Sequence, residues 1–334
     1  MRIAFIGGYG HHYLKGLLKD PDRGGVELPV SVASDGVDPA RCKQFAQGLN
    51  VEFKFFDDPR AMLDAAKPDS TIVSVGSVYG VAGDRIAEAM EHGFAVVSDK
   101  PIASTPQQLE RIEKLTKQSN AKPIITEFDF RGRPQFQAAR DAVKRGEVGT
   151  VVLASAQKSY RFGGARPEWY KDRTLYTGTL MWVLSHGIDV IRFATGLEYT
   201  RAVGHGGNLA KPDYGSMEDH VAVLFELSNR GTALAHADFL RPAKASTHGD
   251  DRLRVIGSNG VVEVRDGRCK LITSDQEETD ITDRFAKSKP VHQALYDAAL
   301  GRDQSLYSTA ESLATARVLL AARKAADDVT WVSL

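Results

Sequence analysis

The sequence predicts an α/β protein in which a doubly wound parallel sheet is followed by a second α/β domain with an open, mainly antiparallel sheet. Three observations lead there. A short apolar run, Ile3 to Ile6, breaks into the glycine cluster Gly7-Gly8-Tyr9-Gly10 and then into a leucine-bearing helical segment from Tyr13 to Lys19. Strand-like and helix-like segments alternate from there to residue 127, the pattern of parallel strands joined by crossover helices. Beyond residue 200, closely spaced strands are joined by Ser228-Asn-Arg-Gly231, Gly257-Ser-Asn-Gly260 and Asp266-Gly267, turns that favour antiparallel hairpins.

With 334 residues, 42% of them hydrophobic and 26% charged, the chain is too long for one comfortable core, so two domains are expected. The boundary falls where the alternation ends, giving domains 1–127 and 128–334. The 43 basic and 43 acidic residues cancel, so no basic field points to a nucleic-acid partner. Cys42 and Cys269 lie far apart and fit no metal spacing, and His205, His220, His236, His248 and His292 show no zinc-like cadence. No metal is expected. No apolar stretch reaches membrane-spanning length and the N-terminus runs straight into a strand, so a cytoplasmic protein without membrane contact is expected.

Each element of the first domain can be justified in turn. A strand that ends in glycines and turns into a helix directs backbone N–H groups toward an anion, most often the pyrophosphate of a dinucleotide. Gly7, Gly8, Tyr9, Gly10, His11 and His12 are therefore candidate cofactor contacts, although counting from Gly8 puts Tyr13 at the third glycine position. The second strand, Leu28 to Ala33, ends at Ser34-Asp35. An acid there accepts hydrogen bonds from a ribose with free hydroxyls and repels a 2′-phosphate, which favours NAD over NADP. Asp35 could instead cap the turn that follows it, and Arg41 keeps NADP open. Helices at 40–48, 60–66, 82–91 and 106–118 alternate with strands at 52–56, 71–75, 94–97 and 123–127. Ligands of such sheets bind beyond the strand C-termini, so Ser77, Val78, Tyr79, Asp99, Lys100 and Pro101 join the glycine turn on one rim. The ammonium of Lys100 suits a hydroxyl whose oxygen becomes an alkoxide as hydride leaves its carbon; a solvated loop lysine is the plainer alternative.

The second domain opens with a helix near 135–145 and a strand at 151–156. Lys158 to Asp172 is irregular and rich in aromatics and arginine. Arg161, Arg166, Trp169, Tyr170 and Lys171 are candidate contacts to a hydroxyl-rich or anionic substrate, or an oligomer contact. In the apolar helical run Gly178 to Phe193, Trp182, His186 and Asp189 share a face by spacing. A neutral imidazole there can take a hydroxyl proton, although a satisfied buried histidine fits the spacing equally. Strands at 221–227, 231–238, 252–257, 260–265 and 268–273 form a sheet with one face covered and one open, from which a homodimer or homotetramer is expected. Helices near 290–300 and 309–326 close the chain.

Together these residues resemble the glucose-fructose oxidoreductase and inositol dehydrogenase family, Gfo/Idh/MocA. The resemblance runs through the glycine turn, Asp99-Lys100-Pro101 in place of Glu-Lys-Pro, Asp129-Phe-Arg131 with Pro134, Gly178-Thr-Leu through His186 and Asp189, Glu218-Asp219 and the closing helix. It implies a Rossmann domain, bound NAD(H) or NADP(H), Arg131 among the cofactor contacts, and redox chemistry on a carbohydrate-like secondary alcohol. Lys100 and His186 match the family's catalytic lysine and histidine. The aspartate usual four residues before that histidine is Trp182 here, an indole that can stack on a sugar ring but cannot orient an imidazole through a carboxylate. Tyr176 or Asp189 would then assist proton transfer, and Tyr79 fills space left by a histidine missing near Ala82. Some relatives are redox-assisted glycosidases with no net redox, and a non-catalytic nucleotide-binding regulator is the remaining alternative.

Overall fold

Strand β1 (Arg2–Ile6) is buried from Ile3 onward because it lies inside a parallel sheet covered on both faces. In a computed structural model describing every residue from Met1 to Leu334, the following elements are β2 (Val30–Ala33), α1 (Pro39–Gly48), β3 (Phe53–Phe56), α2 (Pro59–Ala65), β4 (Thr71–Val75), α3 (Tyr79–Glu91), β5 (Ala95–Ser98), α4 (Pro106–Thr116) and β6 (Ile124–Thr126). The strand order is β3-β2-β1-β4-β5-β6 and every pairing is parallel. Helices α1, α2 and α4 start the same way. Asp38, Asp58 and Thr105 accept backbone N–H bonds at the N-caps, and a proline stands in the first turn, where its missing N–H is no loss. The segment after the glycine turn, Tyr13–Lys19, is a 3₁₀ helix that buries Leu14, Leu17 and Leu18. The order reverses between β1 and β4, which makes the crevice past their C-terminal ends the switch point of the sheet.

The rest of the chain runs through α5 (Pro134–Lys144), β7 (Val151–Tyr160), α6 (Arg173–Tyr176), α7 (Ser185–Thr195), β8 (Tyr199–Gly207), β9 (His220–Leu227), β10 (Thr232–Asp238), β11 (Gly249–Gly257), β12 (Gly260–Arg265), β13 (Arg268–Thr273), β14 (Gln276–Asp280), α8 (Val291–Ala299), α9 (Thr309–Asp328) and β15 (Val332–Ser333). The second sheet has the order β14-β13-β12-β11-β7-β10-β9-β8-β15, with β7 and β10 its one parallel pair. Its two faces differ as the strand period of two requires. Ala154, Ala156 and Lys158 of β7, with Ala233, Ala235 and Ala237 of β10, are buried, while Leu224 of β9 and its partner Leu234 of β10 are exposed on the other face.

The chain divides into two units, Met1–Glu127 with Lys289–Ala316, and Phe128–Ser288 with Arg317–Leu334. Residues 289–316 therefore sit with the first unit, whereas the sequence boundary placed them in the second. The physical reason is the apolar face of α8. Ala294, Leu295, Tyr296, Ala298 and Ala299 join Leu14, Leu17 and Leu18 in one core cluster. Thr309 and Ser312 hydroxyls also accept the N–H groups of Ile124 and Thr126, which satisfies donors on the edge strand β6. No helix is long and apolar enough to cross a membrane.

Candidate functional site

In the first unit, three strand ends are tied together by short contacts. Tyr9 N–H donates to the Gly76 carbonyl at 2.8 Å, closing the β1 turn on the end of β4. His11 N–H donates to Asp99 Oδ2 at 3.1 Å, reaching the end of β5. Gly7, at φ +92°, has room for nothing larger, since a Cβ would fall 2.4 Å from the Gly76 carbonyl oxygen. Ser77 and Val78 line the same rim, and Val78 N–H donates to Asp35 Oδ2 at 2.9 Å. Tyr79 opens α3 and is buried. Gly10 remains exposed, and Tyr9 and His11 half-buried, on the open side of the turn. A turn closed on the switch point with Gly10 at the surface fits a dinucleotide pyrophosphate.

Lys100 follows β5 and is only 2% exposed. Its Nζ lies 3.3 Å from Asp99 Oδ1, an oxygen that also accepts the Lys100 N–H. Burial works against ionisation of Asp99, but the neighbouring Lys100 ammonium and His11 outweigh it and hold the carboxyl below its ordinary range. Glu127, just beyond β6, shows the opposite balance. Burial, reinforced by the charge of Asp99, pushes it well above the usual carboxyl range, and its Oε1 accepts the Tyr13 N–H at 2.9 Å.

Two of the expected cofactor residues face inward. His12 is 1% exposed, with Nδ1 2.7 Å from Ser74 Oγ and Nε2 3.3 Å from the Gly7 carbonyl. Burial, helped by Lys15, lowers its pKa to about 3. Asp35 is fully buried. One carboxylate oxygen accepts the N–H groups of Val37 and Asp38 and the other accepts that of Val78, so its side chain serves the turn rather than the surface. The half-buried acid at this strand end is Asp38, whose Oδ2 accepts the Tyr9 hydroxyl at 2.6 Å.

In the second unit, His186 follows a π-helical stretch, Leu180–Leu184, in the first turn of α7. Single π turns of this kind are frequent at functional sites. The ring is 2% exposed, and its Nδ1 lies 3.2 Å from Asp129 Oδ1, an ion-pair distance with an oblique approach to the ring N–H direction. Phe130 lies against the ring, centroids 5.1 Å apart. Asp189 and Arg131 hold each other instead, through Nε and Nη2 at 2.8 and 2.7 Å, both buried. The residues expected as an assistant to His186 and as a cofactor contact thus share one ion pair. Tyr176 is fully buried, its hydroxyl shared with Thr179 Oγ1 at 2.9 Å and its ring stacked on Tyr170. Burial pushes its hydroxyl well above the ordinary phenol range. Trp182 is buried within the π-helical stretch.

The Arg166 guanidinium lies over the rings of Phe162, Tyr170 and Phe239 at 5.4, 5.5 and 5.3 Å and donates from Nε to the Phe162 carbonyl. Arg161 pairs with Leu240 through an isolated bridge, Trp169 packs on Tyr170, and Lys171 is an exposed partner of Glu168.

A chain of charge, buried at Asp129 and Lys158 and half-buried at Arg133 and Asp251, has no signal as a whole in the sequence. Asp129 Oδ2 accepts from Arg133, Arg133 reaches Asp251 at 3.4 Å, and Asp251 accepts from Lys158 Nζ at 3.0 Å. Lys158 lies over Phe130 at 4.1 Å, and burial lowers its pKa despite Asp251 and Asp129. The alternation of β7 could have revealed Lys158, two residues past buried Ala156 on the same face. Nothing local joins residues 129, 186 and 251.

Comparison with known proteins follows this division. Residues 1–127 match the family described as oxidoreductase family, NAD-binding Rossmann fold, and residues 136–263 match the GFO/IDH/MocA C-terminal domain. The chain is 30% identical to D-glucoside 3-dehydrogenase of Escherichia coli over 44% of this chain and 42% of that one. It is 25% identical to inositol 2-dehydrogenase of Rhizobium meliloti over 69% of this chain and 66% of that one. These alignments span less than two thirds of either curated relative. A Thermotoga maritima protein of known structure, assigned as an oxidoreductase, superposes over 100% of both chains with a TM-score of 0.90 at 29% identity. With a parallel Rossmann sheet, a larger mixed sheet and a family match on each, the chain belongs to the GFO/IDH/MocA oxidoreductase family.

Proposed function

We propose that the chain is an NAD(P)-dependent oxidoreductase moving hydride between a nicotinamide and a secondary hydroxyl of a sugar, a sugar derivative or an inositol-like polyol, with NAD the expected coenzyme. The observation that carries this reading is Lys100, a lysine 2% exposed at the end of a switch-point sheet and held by Asp99. An ammonium in that position can stabilise negative charge developing on a bound oxygen. The relatives named for glucoside and inositol oxidation supply the substrate class.

When bound, the nicotinamide supplies the hydride acceptor. The chain supplies position and field. In oxidation, Lys100 donates a hydrogen bond to the reacting oxygen and stabilises the alkoxide. His186 accepts the hydroxyl proton, breaking O–H and forming N–H, while the carbon gives up its hydride. In reduction the same groups act in reverse. Asp38 is placed to accept a ribose hydroxyl in preference to the buried Asp35. The open face of the second sheet, with Leu153, Leu224 and Leu234 exposed, is the surface assigned to self-association.

The test is coenzyme reduction with a panel of cyclic polyols, aldoses and methyl glycosides, followed by NADH absorbance. Accumulation of NADH with at least one of them supports the reading. Release of free sugar from a glycoside without NADH would replace it with redox-assisted hydrolysis.

A further inference from the structure

The imidazole of His186 is placed to take a proton in a buried setting, where an added positive charge needs a nearby counter-charge. Its own helix does not supply one. The residue four before it is Trp182, and the acid three after it, Asp189, has both oxygens on Arg131. The carboxylate at the ring comes from another element. Asp129, in the 3₁₀ turn Asp129–Gly132, lies 3.2 Å from His186 Nδ1.

We propose that Asp129 is the positioning residue of His186, and that Arg133, Asp251 and Lys158 fix Asp129 in place. Like the function of His186 itself, this rests on the oxidoreductase reading above. The geometry assigns each oxygen of Asp129 a separate task. Oδ1 faces His186, while Oδ2 accepts from Arg133. Arg133 is held in turn by Asp251 and Asp251 by Lys158. Charges alternate along this chain, so it is neutral as long as His186 is neutral. Protonation of His186 adds one positive charge, and the nearest group to it is negative. Phe130 lies against the imidazole and also under the Lys158 ammonium. A small rotation of the ring would align Nδ1–H with Asp129 Oδ1 and leave Nε2 as the proton-accepting atom, the tautomer logic of a carboxylate-oriented histidine.

Two measurements test this on the full chain. The first needs neither coenzyme nor substrate. The His186 ring proton is titrated by NMR, assigned by its loss in His186→Ala. The charged group at this ring is Asp129, to which Arg133 is paired; Lys158 lies over the neighbouring Phe130, and the Arg131–Asp189 pair sits one helical turn on. Asp129→Asn removes the nearest negative charge and is expected to lower the midpoint by about one unit or more, while Asp129→Glu restores most of it. An unchanged midpoint in a folded Asp129→Asn protein overturns the proposal.

The second measurement is NAD⁺ reduction with myo-inositol and methyl glucoside. Asp129→Asn is expected to lower kcat about 10- to 100-fold with little change in the KM for NAD⁺, and to add nothing further in the His186→Ala background. An equal additional loss in that background means a purely structural role and refutes the positioning role. Full activity of His186→Ala refutes the oxidoreductase assignment of His186 instead, so the two failures are distinct.

Discussion

Replacing Asp189 with alanine is expected to destabilise the second unit strongly. The Arg131–Asp189 pair is bidentate at 2.7 and 2.8 Å with side chains 4% and 1% exposed. At an effective dielectric of about 20 the gross attraction at this distance is about 6 kcal/mol, most of which offsets the desolvation of the two ions. The pair adds little net stability, but alanine leaves the guanidinium buried without its carboxylate. The guanidinium also lies over the Phe193 ring at 5.3 Å, which does not replace a counter-charge. The expected loss is about 3–5 kcal/mol, a fall in Tm on the order of 10 °C for a unit of this size. Urea unfolding followed by near-UV circular dichroism measures it, with Arg131→Met and the double variant Arg131→Met/Asp189→Leu in parallel. The double variant should recover much of the loss, because it removes both charges. A loss below about 1 kcal/mol for Asp189→Ala, or a double variant no better than the single one, would refute a structural pairing of these residues.

Other perturbations follow from the same structure. His12 is buried neutral with its pKa lowered from 6.5 to about 3, so its contribution is present above pH 6.5 and lost as the pH falls toward 3. Between pH 6.5 and 5 this amounts to about 2 kcal/mol, and His12→Gln should flatten that part of the stability profile; an equally steep profile in the variant contradicts the assignment. Glu127 has the opposite sign. Its pKa is raised by burial and Asp99, so stability is lost as the pH rises above the ordinary carboxyl range, and Glu127→Gln should gain on the parent from pH 4.5 to 7; a constant difference argues against a neutral Glu127. On the open sheet face, Leu224→Lys/Leu234→Lys should reduce the mass seen by light scattering to the 36.4 kDa of one chain. A parent already at that mass removes self-association.

The first unit is legible in sequence because each element there is defined locally. Apolar runs such as Thr71–Val75 have the length of a strand buried on both faces, and Asp58-Pro59 announces a helix start. Strand β8 is harder to read, since Gly204, Gly206 and Gly207 weaken its strand character. The return of α8 to the first unit depends on which apolar face it meets, and no local signal carries that. Among the candidate residues, Lys100 and His186 are singled out by type and position in their own units, and the rim residues of the first unit meet as strand order requires. The sequence cannot show that Asp35 turns inward onto Val78, that Asp189 is taken by Arg131, or that Asp129 reaches His186. Each is a contact across 43 or more positions, settled by packing rather than by pattern.

The most direct measurement compares the parent with Lys100→Ala by calorimetric titration of NAD⁺ and by the rate of NADH formation on a polyol or glucoside that turns over. The account predicts that both proteins bind NAD⁺ and that the variant's hydride transfer is slower by about 10²- to 10³-fold. Undiminished transfer in the variant, or a parent with no affinity for either nicotinamide coenzyme, would contradict it.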